Sequence, residues 1–188
     1  MTQKTDDELL ELIKKKNTEA FRTLFSTYEK AVYNYILKYS GNKQLAQELL
    51  QETFTRVWFS AHLYRSSGKA KSWLYTIARN TTRSEMAKKR YAYRYEEISE
   101  LQSNEDELSV STSEGPDIHM EQQDLRGKIA KAMKKLKPEW REIITLKNFQ
   151  QLKFREIAEI TKIAEGTLKA RYLKAVSELR TLLGGLEL

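Results

Sequence analysis

Cysteine is absent from the 188 residues, which excludes disulfides, thiolate metal sites and a cysteine nucleophile, and fits a reducing cytoplasm. Proline (2) and glycine (7) are scarce, which favours long helices over a turn-rich β fold. Uncharged runs are short. The longest, Val57 to Tyr64, has eight residues, against roughly 18 for a transmembrane helix, so no membrane insertion is expected. The opening MTQKTDDELL is acidic early and has no apolar stretch, so it does not read as a secretory signal. Histidine occurs only at 62 and 119, the second inside a segment read as a linker, so a shared metal site is not expected. No phosphate-binding glycine loop and no G-x-S-x-G are present, and no catalytic set or cofactor site emerges.

What the chain has is charge, unevenly placed. The overall charge is +7, but residues 1–91 carry net +8, residues 92–120 net −7 and residues 121–188 net +6. Two basic blocks flanking an acidic one allow nucleic acid, an acidic membrane or an acidic protein as partner. The acidic block also breaks the hydrophobic periodicity. Ser99 to Pro116 is rich in Ser, Glu, Asp and Asn, too poor in apolar side chains to fold alone, and reads as an extended linker. The predicted organisation is all-α, with small helical domains over 1–95 and 121–188 joined by an acidic linker over 96–120.

In the first block Asp6 or Asp7 is expected to cap a short helix bearing Leu9, Leu10 and Ile13. Asn17 or Thr18 opens a longer helix whose apolar positions, from Phe21 to Tyr39, keep a three-four rhythm until Gly41. A third helix carries Leu45, Leu49, Phe54, Val57 and Trp58. The polar stretch Arg65–Ser72 leads to a fourth with Trp73, Leu74, Ile77 and Ala78. In the second block Leu125 to Leu136 form one stripe, and Pro138 suits a first helical turn. Phe154–Thr161 and Glu165–Leu183 close the chain at helix-turn-helix spacing. The last helix has a seam of Leu168, Tyr172, Ala175, Leu179 and Leu182, expected to pack on the helix before it.

Three polar faces carry the functional reading. Opposite the last seam stand Gly166, Ala170, Leu173, Lys174 and Ser177, with Lys169 on the flank. This small, basic surface is suited to a major groove, although a solvated helix face has the same composition. On the fourth helix Arg79, Arg83 and Arg90 recur near one face beside Asn80 and Lys88, and Tyr91, Tyr93 and Tyr95 follow. Basic groups among aromatics suit phosphates and stacked bases, while core tyrosines with solvated arginines fit equally. The third helix presents Gln47, Glu48, Gln51, Glu52 and Thr55, unsuited to DNA and open to a protein partner or to solvent alone.

With these residues the chain resembles a bacterial RNA polymerase sigma factor of the extracytoplasmic-function group, in the sigma-70 family. LAQELLQETFTRVW (Leu45–Trp58), Tyr64 and WLYTIARN (Trp73–Asn80) resemble sigma region 2. LKPEWREIITL (Leu136–Leu146), FREIAEI (Phe154–Ile160) and EGTLKAR (Glu165–Arg171) resemble region 4. The resemblance implies a non-enzymatic transcription initiation factor that binds core RNA polymerase, through its β′ and β subunits, and promoter DNA. It also implies an anti-sigma partner. Carried over, Glu48, Gln51, Glu52 and Thr55 would dock the β′ clamp helices. The segment His62–Lys71, with Tyr64, Arg65 and Lys69, would capture a flipped −10 base. Arg79, Asn80 and Arg83 would follow the same strand. Gly166, Thr167, Lys169, Ala170, Leu173 and Lys174 would face the −35 major groove. Arg171, flanking the seam, would reach phosphate before base.

Three positions depart from the family pattern. Lys162 replaces a common turn Gly, at about 1 kcal/mol if left-handed. Ala164 replaces a capping Ser, at about 1 kcal/mol, and Ala170 replaces a frequent Ser on the reading face. A free-standing helix-turn-helix regulator is the rival reading. It needs neither the polar third-helix face nor the aromatic-basic fourth helix.

Overall fold

The computed structural model describes residues 4–96 and 119–184, and among these every regular element is helical. In order they are α1 (Asp6–Lys14), α2 (Thr18–Ser40), α3 (Lys43–Ser60), a 3₁₀ turn (Ala61–Leu63) and α4 (Ala70–Glu96). Then come α5 (His119–Lys135), α6 (Pro138–Ile144), a π turn (Thr145–Phe149), α7 (Phe154–Thr161) and α8 (Glu165–Leu182). None of the described helices is long and apolar enough to cross a membrane. Most of the acidic segment lies outside the described residues. His119, expected in the linker, is the first residue of α5.

Helix ends follow local chemistry, with one correction. The cap of α1 is Thr5, not Asp6 or Asp7. The Thr5 hydroxyl accepts from the Glu8 amide at 3.3 Å, and the Glu8 carboxylate accepts from the Thr5 amide at 2.7 Å. This reciprocal box satisfies two orphan donors where a lone Asp would satisfy one. It releases Asp6 to bond the Tyr28 hydroxyl and Asp7 to bond a distant loop. Asn17 and Asn42 cap α2 and α3, each accepting an amide at 2.8 Å. Gly41 closes α2 at φ 73°, where a Cβ is disfavoured. Pro138 sits in the first turn of α6.

The first four helices bury Leu10, Ile13, Leu24, Tyr35, Ile36, Leu74 and Tyr75, each large apolar side chain contributing roughly 1.5–3 kcal/mol. Edge-on aromatic pairs tie α2 to α3, with Phe21–Trp58 at 5.2 Å and Phe25–Phe54 at 4.7 Å. This core does not stop at the acidic segment. Ile143, Leu146, Leu152, Ile157, Ile160 and Leu168 are continuous with it, so the two halves share apolar packing. A second cluster, with Met133, Leu136, Ile144, Ala175 and Leu179, joins α5, α6 and α8. The α8 seam is therefore divided. Leu168 faces the shared core, Ala175 and Leu179 face the second cluster, and Tyr172 touches both. The helix packs on α6 as well as on the expected α7.

Candidate nucleic-acid interface

The α3 face is built by burying the opposite side. Leu45, Leu49, Phe54 and Val57 point inward, and the hydroxyl of buried Thr53 is satisfied by the Leu49 carbonyl at 2.6 Å. Gln47, Glu48, Gln51, Glu52 and Thr55 are left exposed on one side. Glu52 pairs with Arg56 at 2.6 Å, and Glu48 accepts from Gln44 at 3.2 Å. These contacts stay within the helix and keep the carboxylates extended over solvent.

The segment after α3 is organised from α1. One carboxylate oxygen of Asp7 accepts from the Tyr64 hydroxyl, the Ser66 hydroxyl at 3.2 Å and the amides of Ser67 and Gly68 at 3.2 and 3.1 Å. Burial raises the Asp7 pKa, but these hydrogen bonds outweigh it and hold the carboxyl below its ordinary value. Gly68, at φ 69°, makes the turn that aims two successive amides at one oxygen. Tyr64 is buried beneath this loop. It is 3% exposed, with Trp73 5.3 Å from its ring, and supports the loop from below instead of offering a face to a base. His62 and Arg65 are exposed, His62 resting Nδ1 against the Phe59 carbonyl at 2.8 Å. Beside them Phe59 and Leu63 are exposed large apolar side chains, a patch with no periodic signature in the sequence.

On α4 Arg79 and Arg83 are not free. Arg79 donates to Glu142 of α6 at 2.8 Å, and Arg83 lies 3.5 Å from the other oxygen of the same carboxylate. Glu142 is only 2% exposed and also accepts from the Tyr35 hydroxyl at 3.2 Å. Burial first, and the Glu142 charge next, push the Tyr35 pKa well up, so the phenol stays a donor. Lys71 donates to the Gln150 carbonyl at 3.3 Å, and Tyr75 donates to the Gln150 side chain at 2.6 Å. Lys69 pairs with Glu159 of α7 at 2.6 Å. Asn80 is exposed. Glu142, Gln150 and Tyr35 were not singled out by sequence, because their roles depend on contacts across half the chain. Arg90, Tyr91, Tyr93 and Tyr95 fall within α4, with side chains outside the described residues.

The α7–α8 pair presents its outer face to solvent. Gly166, Thr167, Lys169, Ala170 and Lys174 are exposed, Leu173 is 68% exposed, and Arg171 is half-buried at the flank, as its helical angle requires. Phe154 and Tyr172 meet edge-on at 5.5 Å and fix the angle between the helices. Lys162 is left-handed at φ 59°, and Ala164 caps α8 without a side-chain bond, so both expected departures carry their physical consequence.

Two family descriptions match the chain in order: Sigma-70 region 2 over residues 24–97 and Sigma-70, region 4 over residues 126–179. The chain belongs to the sigma-70 family. Among its relatives, RNA polymerase sigma factor CarQ of Myxococcus xanthus is 29% identical over 90% of this chain and 92% of its own. ECF RNA polymerase sigma factor SigM of Bacillus subtilis is 27% identical over 85% of this chain and 92% of its own. The fold matches that of the sigma factor RpoE of Bartonella quintana, solved with the anti-sigma factor NepR. The TM-score is 0.74 at 22% identity, over 89% of this chain and 98% of that one. The chain is thus a sigma factor. It is a non-enzymatic initiation factor that binds core RNA polymerase and directs it to promoters.

Proposed function

We propose that the three faces divide the work of initiation. Glu48, Gln51, Glu52 and Thr55 dock the clamp helices of the polymerase β′ subunit. The loop bearing His62, Arg65, Lys69 and Lys71, buttressed by Tyr64, holds an extruded base of the −10 non-template strand, and Arg79, Asn80 and Arg83 follow that strand's phosphates. Base extrusion costs a few kcal/mol, which the loop and stacking contacts must offset. The outer face of α8 enters the −35 major groove, where Lys169 and Lys174 meet phosphates or guanines and Leu173 a thymine methyl. Arg171 reaches phosphate first. The observation that carries this reading is the separation of surfaces. One exposed helix face is acidic and amide-rich, the other is basic and acid-free beyond Glu165, and the two lie on different halves of one chain.

Multi-round transcription with core polymerase on a fragmented genomic library tests it. New discrete transcripts sharing two upstream elements are expected. Failure to bind core would revive a free-standing helix-turn-helix regulator. The Bartonella relative was solved with an anti-sigma factor, and a similar partner is proposed to cover the DNA faces here. Pull-down from uninduced cells should recover it. The site of action is the cytoplasm, with the polymerase.

A further inference from the structure

A left-handed lysine and an exposed ring meet where α1, α3 and the 3₁₀ turn come together. Phe59 is 64% exposed, and Leu63, one turn along, is 67% exposed. Lys16 lies just past the end of α1. Its amide donates to the Ile13 carbonyl at 2.9 Å, and the Asn17 amide donates to the Leu12 carbonyl at 3.1 Å. This pairing puts Lys16 at φ 62°, a position that glycine usually fills because a Cβ is disfavoured there. The lysine carries its ammonium over the indole of Trp58 at 5.1 Å and over the ring of Phe59 at 5.6 Å. Trp58 is fixed in turn by its edge-on contact with Phe21. Within residues 15–17 and 59–65 the charged side chains are Lys15, Lys16 and Arg65, all exposed and all basic.

We propose that Phe59 and Lys16 form a second nucleobase platform outside the −10 loop, where an unpaired base stacks on the Phe59 ring and the Lys16 ammonium meets the adjoining phosphate. This rests on the loop after α3 facing the opened strand, since the 3₁₀ turn runs into that loop through Tyr64. Both pieces stand on α1. Asp7 near its start holds the loop, and Lys16 at its end lies over the ring. The composition favours a strand over a protein segment. An apolar helix would cover Phe59 and Leu63 but strip water from Lys16 without replacing it. An acidic peptide would use the lysine and leave the rings to solvent. Single-stranded DNA uses both, because every base has a face to stack and a phosphate beside it. Duplex DNA keeps its bases stacked inside, so the platform acts only on an opened strand. Backbone strain of this kind persists where surrounding contacts require it, and here the side chain sets a cation where a phosphate would arrive.

The test uses the full chain bound to core polymerase and two labelled single strands of equal length and charge, one of thymidine and one abasic. Phe59→Ala should lower affinity for the thymidine strand about tenfold, the loss of one stacked base, and leave the abasic strand unaffected. Phe59→Trp should keep thymidine binding at its original strength. Lys16→Gly suits the left-handed turn and so keeps the fold. It should weaken both strands and flatten the salt slope by about 0.7, the single-strand value for one phosphate. Phe59→Ala should leave that slope unchanged. Unaltered thymidine affinity for Phe59→Ala, or an equal loss on the abasic strand, would overturn the platform. So would a loss of affinity for core polymerase itself, titrated without DNA, which would give the patch to docking. Arg65→Ala separates this proposal from the loop reading. A loss with Arg65→Ala but none with Phe59→Ala keeps the −10 loop and removes the platform. The converse keeps the platform and removes Arg65 from the strand.

Discussion

The carboxylate of Asp7 in α1 receives the hydroxyl of Tyr64, 57 residues along the chain, and through it the loop that precedes α4 is fixed to the first helix. The same oxygen also takes a second hydroxyl and two amides. Asp7→Ala leaves these donors to water or to nothing. A loss of about 1–3 kcal/mol is expected for a multiply bonded charged acceptor. Limited proteolysis should find new cleavage between Arg65 and Lys69, and −10-dependent melting should fall while core binding holds.

The pH dependence of that contact has a definite sign. The folded pKa of Asp7 lies below its unfolded value: burial raises it, and the hydrogen bonds from Tyr64, Gly68, Ser67 and Ser66 together lower it more. A depressed carboxyl stabilises the fold above its unfolded pKa and loses that contribution as pH falls through the folded one, here from about pH 4 downward. Urea midpoints of the unsubstituted chain and Asp7→Asn should differ at pH 6 and converge as pH drops below 4. A gap that persists into strong acid would show that the carboxylate charge is not what holds the loop.

Glu52→Lys addresses the α3 face. Glu52 is exposed and its partner Arg56 is on the same helix, so the fold should change by less than about 1 kcal/mol. Reversing the charge in a docking face should lower affinity for core polymerase by tenfold or more. Equal affinity by titration of labelled core would remove this face from the interface.

The residues that were legible in the sequence are those whose role is set by their own helix. The exposure of the outer α8 face and of the α3 carboxylates, and the places of Gly41 and Pro138, follow from periodicity and local backbone geometry, while the left-handed Lys162 was pointed to by the family resemblance. The burial of Tyr64 was not legible, because an aromatic among basic residues has the same pattern whether it is exposed or props a loop. The choice is made by Asp7, which sequence assigned to a helix cap that Thr5 already fills. Glu142 sits in a short helix of seven residues, where periodicity has little to say. Its partners are 63 and 59 residues distant. The packing of one half on the other has no local signature, since Ile143, Leu146 and Ile157 are apolar in either arrangement.

Lys174 tests the duplex-reading face through salt. The side chain is exposed on the outer face of α8, one turn beyond Ala170 and beside Leu173. Each phosphate contact releases about one counterion, so removing one reduces the slope of log affinity against log salt by about one. Lys174→Ala should therefore weaken binding of duplex DNA about equally across sequences and flatten the salt dependence by that amount. Leu173→Ala, touching no phosphate, should leave the slope unaltered and relax preference at a single base pair. An unchanged slope for Lys174→Ala would place that ammonium off the backbone.

Ala164 offers the converse, a gain of stability. It precedes α8 in an extended conformation (φ −57°, ψ 139°) that a capping residue also adopts, yet it has no side chain to accept the orphan amides of the first turn. Ser at this position can bond the amide two or three residues on without moving the backbone. Ala164→Ser should stabilise the chain by about 1 kcal/mol, read as a shift in urea midpoint at constant slope. Because α8 is anchored at its first turn by buried Leu168, the gain should also appear as slower amide exchange around Gly166 and Thr167. A midpoint unchanged by Ser would mean that water already satisfies those amides as well as a hydroxyl does.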